Sequence, residues 1–134
     1  MTIEMKTIEE IREFFAKDRY ATDAGAYIEE VDECYAKCSL KLDERHKNAV
    51  GGVMGGVHFT LADFTFAVAT NWQKIGVVSL SSTITYLSPV KGDELIAEAF
   101  CMKEGRTTDC YRIDIHDNLM NYVATVTITG YRKA

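Results

Sequence analysis

Asp63 is the only formally charged residue between Lys47 and Lys74, in a segment that reads N-A-V-G-G-V-M-G-G-V-H-F-T-L-A-D-F-T-F-A-V-A-T-N-W-Q. A helix that is apolar on all sides is ordinarily buried, and a buried carboxylate is unfavourable unless it is hydrogen-bonded, paired or used in chemistry. Just upstream stand two glycine pairs, Gly51-Gly52 and Gly55-Gly56. Gly55 and Gly56 fall where the helix should begin. Their N–H groups are therefore among the unpaired donors of the first turn and feel the positive end of the helix dipole. With no side chain in the way, a carbonyl oxygen can approach closely. Donors held in advance where negative charge develops on an attacked acyl carbonyl form an oxyanion hole.

The acid and the donors cannot meet on one helix. Asp63 lies eight residues beyond Gly55, about 12 Å further along the axis at roughly 1.5 Å per residue. To act on one substrate atom they must come from different copies of the chain, with two antiparallel helices side by side at a twofold interface. On a helical wheel the face of Asp63 also carries Phe59, Phe66, Ala67 and Thr70. Aromatic neighbours strip water from the carboxylate and favour its protonated form, whereas a hydroxyl or amide donor favours the charged form. General-base work at neutral pH needs a balance of the two. A carboxylate that caps a neighbouring loop is the plain structural alternative.

Around this segment the periodicities lay out an α+β fold. Thr7 to Tyr20 places Ile8, Ile11, Phe14 and Phe15 at helical spacing with Glu9 and Glu10 in the first turn, which predicts one amphipathic helix over about 7–20, capped by Thr7. Cys34, Ala36, Cys38, Leu40 and Leu42 alternate with Tyr35, Lys37, Ser39 and Lys41, a half-buried strand, with another expected around Tyr27 to Val31. The charge-poor segment favours one helix from Gly56 to about Asn71. Four strand-like runs follow near 76–87, 93–103, 108–117 and 120–132. A meander of these four behind one long helix predicts a curved antiparallel sheet of five to six strands wrapped around that helix. Tyr86, Tyr111, Tyr122 and Tyr131 are expected to cover a second contact surface, so self-association is expected.

Composition removes several function classes. With 134 residues the chain fits a single domain, expected to run over 1–134 with its core at about 25–132. A net charge of −5 and scattered Lys and Arg leave no basic stripe for nucleic acid. Val57 to Thr70 is too short for a bilayer span and contains Asp63 and His58, so no membrane helix is expected. The N-terminal residues M-T-I-E-M-K-T-I-E-E carry acids where a leader peptide needs an apolar or basic run, and a cytoplasmic location follows as an expectation. Cys34, Cys38, Cys101 and Cys110 match no common zinc spacing, and reduced core cysteines are expected. His46, His58 and His116 have no second ligand at useful spacing, so no metal site is expected.

The segment His46-x-Asn48-x-x-Gly51-x-x-Met54-Gly55-Gly56 followed by Leu61-Ala62-Asp63 resembles the signature of the hot-dog fold acyl-CoA thioesterases of the phenylacetic-acid-degradation type, and Thr83-Ile84-Thr85-Tyr86-Leu87-Ser88-Pro89 resembles that family's strand after the helix. The likeness covers about residues 25–132. It implies hydrolysis of an acyl-CoA thioester, with Asp63 as the catalytic carboxylate, either base or nucleophile. The Gly55 amide of another subunit would hold the carbonyl oxygen, and Asn48 would assist that oxygen or fix the loop. Ser79 falls where some relatives place a hydroxyl that orients water, with Ser81 on the same strand face as the fallback. Gly56, Phe59, Phe66 and Met54 would line the substrate site, and Arg106, with Lys91, would meet the coenzyme A phosphates. The likeness implies a homodimer, commonly paired again into a tetramer, and no cofactor beyond the coenzyme A carried by the substrate.

Met54 departs from the pattern, because many members place histidine there. His58, four residues on, points about 140 degrees from Asp63 on the wheel and is expected to be a packed histidine. Two further readings follow from the departure. One is an acyl-CoA binder or sensor that keeps the pocket without turnover; the other is an enoyl-CoA hydratase or dehydratase, which ordinarily needs a histidine beside its acid.

Overall fold

The computed structural model describes residues 4–5 and 7–133. Residues 1–3 and 6, part of the leader-region reading, and residue 134 lie outside the described residues. The chain forms α1 (Ile8–Phe15), α2 (Arg19–Ala24), β1 (Ala26–Asp32), β2 (Tyr35–Lys41), α3 (Gly55–Asn71), β3 (Val77–Tyr86), β4 (Glu94–Glu104), β5 (Thr108–Asp117) and β6 (Tyr122–Arg132). Thr7 caps α1 as expected, its hydroxyl accepting the Glu10 N–H at 3.2 Å. The single helix expected over 7–20 is instead two. The apolar stripe of α1 ends at Phe15, and the chain bends through Asp18 (φ −77°, ψ 72°) so that a second short helix can bury Ala21. Gly25, with φ 117°, closes α2 in the left-handed conformation and turns the chain into β1.

All six strands form one antiparallel sheet in the order β1-β2-β4-β5-β6-β3. The expected four-strand meander is therefore a three-strand meander, β4 to β6, with β3 carried to the far edge beside β6. Aligned positions show how the sheet receives α3: Ala36, Ala99, Ile113, Val126 and Ile84 form one row, and Cys38, Ala97, Ile115, Ala124 and Tyr86 the next. Ala36, Cys38, Ala97, Ala99 and Ala124 are fully buried, and these small side chains let the helix lie close against the sheet. The helix brings Leu61, Ala62, Phe64, Phe66 and Val68 into the same core. Tyr111, expected on a contact surface, is 1% exposed and packs edge-on against Phe66 with centroids 5.5 Å apart. Tyr86, Tyr122 and Tyr131 are exposed.

Both ends of α3 are tied to the sheet. At its C-terminal end the Arg132 guanidinium donates to the carbonyls of Thr70 and Lys74 at 3.1 and 3.0 Å, and Asn71 Oδ1 accepts the N–H groups of Gly76 and Val77, both at 2.8 Å. These bonds supply partners for a helix end that would otherwise bury open carbonyls. Beyond the N-terminal end, the loops around β3–β4 and β5–β6 hang on Asp117, which is fully buried. Its carboxylate accepts the backbone N–H groups of Lys91, Gly92, Leu119 and Asn121 and the Asn121 side chain. Burial by itself pushes such a carboxyl up, but the bonds from the Asn121 side chain and the backbone amides outweigh it and hold Asp117 well below the usual range. Among the described residues no helix is long and apolar enough to cross a membrane, and no disulfide joins the four cysteines. Of these only Cys38 is fully buried; the other three are half-buried.

Candidate active site

The helix begins at Gly55, one residue earlier than expected, with Met54 as its N-cap. Met54 is extended (φ −62°, ψ 134°) and its thioether, 56% exposed, makes no capping bond. The N–H groups of Gly55 and Gly56 consequently find no acceptor among the described residues. Gly55 lines a cleft of about 450 Å³ together with Gly52, Val53, His58, Tyr86 and the Leu87–Val90 loop. Tyr86 donates its hydroxyl to the Gly55 carbonyl at 2.9 Å. A Cβ added at Gly55 would meet that hydroxyl oxygen at 2.7 Å, so the bare α-carbon is what lets the tyrosine lie across the helix start. This contact was not readable in the sequence, where Tyr86 was one strand tyrosine among four.

His58 packs as expected, 4% exposed, edge-on to Tyr86 with its Nδ1 3.3 Å from the Met54 carbonyl. Burial holds it below the usual histidine range, against the pull of the Met54 and Gly55 backbone, so its ring is neutral at pH 7. Asn48 fixes the preceding loop: its Oδ1 accepts the N–H groups of Val50 and Gly52 at 3.0 and 3.1 Å, and its own N–H donates to the Gly52 carbonyl at 2.7 Å. His46, 3% exposed, anchors the same loop, accepting the Asp43 N–H at Nδ1 and donating from Nε2 to the Ala24 carbonyl at 2.6 Å.

Asp63 opens on a separate cavity of about 560 Å³, lined by Phe59, Thr60 and Phe64 of its own helix and by Asp18, Arg19, Tyr20 and Ala21. The carboxylate is half-buried and makes no hydrogen bond or ion pair among the described residues. Burial, then the charge of Asp18, pushes it above the usual carboxylate range. Phe59 thus lies beside Asp63 as the wheel predicts. Phe66 does not: it is 2% exposed and turned toward the sheet, into a hole that Gly130 on β6 leaves open, where an added Cβ would stand 2.7 Å from the Phe66 ring.

Ser79 and Ser81 do not share a face. A bulge at Leu80 shifts the register, so that Ser79 pairs with Gly130 and Ser81 with Thr129, neighbours that point to opposite sides. Ser79 keeps the helix-facing side and shares it with Ser82, which pairs with Ile128. Arg106 lies exposed in the β4–β5 turn, and Lys91 lies beside the Pro89–Val90 wall of the Gly55 cleft. Thr108 aligns through Tyr131 with Val78, eight strand residues from Tyr86. At about 3.3 Å per residue the Arg106 turn is therefore roughly 26 Å from the Gly55 end within one chain. Among the described residues no cluster of three or more His, Cys, Asp or Glu side chains could hold a metal ion.

Known proteins resemble this chain in sequence and fold. Residues 50–124 match the model of the Thioesterase superfamily. A putative esterase of Archaeoglobus fulgidus is 30% identical over 127 residues, covering 93% of this chain and 82% of that one. The acyl-coenzyme A thioesterase PaaI of Escherichia coli is 32% identical over 111 residues, 82% of this chain and 79% of the relative. The solved structure of E. coli PaaI superposes with a TM-score of 0.82 at 28% identity, covering 96% of this chain and 97% of that one. A hypothetical thioesterase of Streptococcus pneumoniae, solved with coenzyme A, gives a TM-score of 0.82 at 27% identity over 91% of this chain and 96% of its own. A sheet in this strand order closed over one long helix, with a Gly-Gly start and a single acid, places the chain in the thioesterase superfamily, in its hot-dog fold.

Proposed function

We propose that the protein hydrolyses acyl-CoA thioesters to a free carboxylic acid and coenzyme A. The observation that carries the site assignment is the state of Asp63, the one charge on α3, which faces a cavity with no partner to neutralise it. The relatives named acyl-coenzyme A thioesterase support the substrate class. In the reaction the thioester carbonyl oxygen sits at the Gly55 N–H. Asp63 takes a proton from water, whose oxygen attacks the carbonyl carbon, and the helix amides hold the resulting oxyanion. The C–S bond then breaks, and the proton held by Asp63 passes to the departing sulfur. Direct attack by the Asp63 carboxylate, giving an anhydride that water then opens, uses the same atoms.

Gly55 and Asp63 open on different cavities of one chain, which supports a site shared between two copies. The edge strand β3 supports the same reading: its ten residues, V-V-S-L-S-S-T-I-T-Y, carry no charge and no proline, and Leu80 is 60% exposed. An edge without charge or proline, interrupted only by the bulge at Leu80, is open to pairing with another strand. We take a homodimer as the working unit, a pair of dimers as its further assembly, the cytoplasm as its location and no cofactor as its requirement. Met54, which offers the site no polar group, favours an acyl-CoA binder as the second reading. A thiol-release assay over short, medium, long and aromatic acyl-CoA substrates, with Asp63→Asn beside the wild type, tests both. Hydrolysis lost in the variant supports the enzyme; tight acyl-CoA binding without thiol release by the wild type supports the binder.

A further inference from the structure

The proposed chemistry uses one acid, yet the cavity of Asp63 holds a second. Asp18 occupies the N-cap position of α2 but forgoes the capping bond that an aspartate there ordinarily makes. Its carboxylate instead contributes to the wall of the Asp63 cavity. Like Asp63, it makes no hydrogen bond or ion pair among the described residues. The one cation lining the cavity, Arg19, is already engaged: its Nε and Nη2 donate to the two oxygens of Asp23 at 3.3 and 3.2 Å, one turn along α2. The rest of the lining is Tyr20, Ala21, Phe59, Thr60 and Phe64. The titratable and charged groups facing Asp63 are thus Asp18, Arg19 and Tyr20, all from the α2 segment; α3 and the strands packed on it add none to the cavity.

We propose that Asp18 is the second acid of this site, a positioning residue that makes Asp63 a better proton acceptor by facing it across the cavity without a neutralising partner. The inference rests on Asp63 being the working acid. Asp18 is exposed at the cavity rim and Asp63 half-buried beneath it, and a negative charge there disfavours a second one on Asp63. Burial pushes Asp18 upward as well. A carboxylate with greater proton affinity is the stronger base toward water. The bend between α1 and α2, which divides what the sequence pattern joins, is then the element that delivers this charge.

The test reads Asp63 itself. Carbon-13 carboxyl signals of the full-length protein are titrated in the wild type, in Asp18→Asn and in Asp18→Ala, with the Asp63 signal identified by its absence in Asp63→Asn. The expected result is that the Asp63 midpoint moves to lower pH in both Asp18 variants, and that the acid limb of the kcat/KM profile for thiol release moves with it. A purely structural Asp18 lowers the melting temperature but leaves the midpoint in place. An unmoved midpoint in either folded variant overturns the proposal. A wild type that releases no thiol from any acyl-CoA sinks the thioesterase reading alone, and the carboxyl titration still decides the coupling of the two acids.

Discussion

Gly55 and Gly56 are chemically identical neighbours in very different surroundings, and a methyl group on each separates the oxyanion role from helix stability. An alanine Cβ at Gly56 meets nothing within 4 Å. At Gly55 the same Cβ stands 2.7 Å from the Tyr86 hydroxyl oxygen, 3.0 Å from Cζ and 3.3 Å from Cε1. These are atoms at the far end of a side chain, so the ring swings away and the backbone keeps its course. Replacing glycine by alanine in a helix gains up to about 1 kcal/mol. In Gly56→Ala that gain stands alone, raising the melting temperature by about 3 °C to 5 °C. In Gly55→Ala it is offset by loss of the 2.9 Å bond from Tyr86 to the Gly55 carbonyl, about 1 kcal/mol, so stability changes little. Catalysis behaves in the opposite way. The displaced tyrosine and the new methyl group crowd the cleft where the carbonyl oxygen approaches the Gly55 N–H. Loss of one oxyanion donor lowers kcat by about 100-fold to 1,000-fold, roughly 2.7 to 4 kcal/mol. Thiol-release kinetics at saturating acyl-CoA, beside thermal melts, measure both quantities. Equal losses of kcat in the two variants, or full activity in Gly55→Ala, refute the assignment of the Gly55 amide.

Three other substitutions test neighbouring parts of the argument. Because burial and Asp18 raise the proton affinity of Asp63 in the fold, its stabilising contribution is complete only below the unfolded value, near 3.9, and is lost as pH rises through the folded one. Asp63→Asn should therefore abolish thiol release yet melt higher than the wild type at pH 7, with the difference vanishing below about pH 4; a lower melting temperature at neutral pH contradicts the burial argument. Asp117→Ala leaves the backbone amides of Lys91, Gly92, Leu119 and Asn121 without their acceptor, a loss of about 3 kcal/mol in denaturant unfolding. Since folding depresses Asp117, its contribution is present above about pH 3.9 and fades as pH falls further, so the variant's stability should show a shallower acid limb than the wild type's. Gly130→Ala forces a Cβ to 2.7 Å from the Phe66 ring and 2.9 Å from Val77 Cγ1, overpacking that should lower unfolding free energy by about 1 to 3 kcal/mol.

Those features of the fold that depend on a residue's own type and spacing were legible in the sequence. The start of α3 at a glycine pair, the isolation of Asp63 and the strand runs all follow from local composition, and the structure places them within a residue or two of expectation. What was hidden depends on a distant partner. The apolar pattern over 7–20 does not show where the chain bends at Asp18, because the second helix is set by the burial of Ala21 against the rest of the fold. Nothing in β3 says that it crosses to β6, and with that pairing comes the bulge at Leu80 that turns Ser81 away from Ser79. Phe66 follows Asp63 by three residues and belongs to its face on a bare wheel; Gly130, far along the chain, opens the space that draws it into the core.

In the proposed dimer, the separation of Gly55 from Asp63 along α3 constrains how two copies meet. Gly55 and Asp63 are eight residues apart, and an antiparallel pair that sets each acid opposite the other's amide has its twofold axis at their midpoint, Phe59. That residue is half-buried and already walls the Asp63 cavity. In the proposed dimer it faces its own counterpart, which gives an aromatic contact at the centre, where shape is shared by both sites at once. The Tyr86 end of the charge-free edge strand β3 meets the same helix at Gly55. The acid, the amide and the edge strand each look incomplete in one chain, the acid without a partner and the amides without an acceptor.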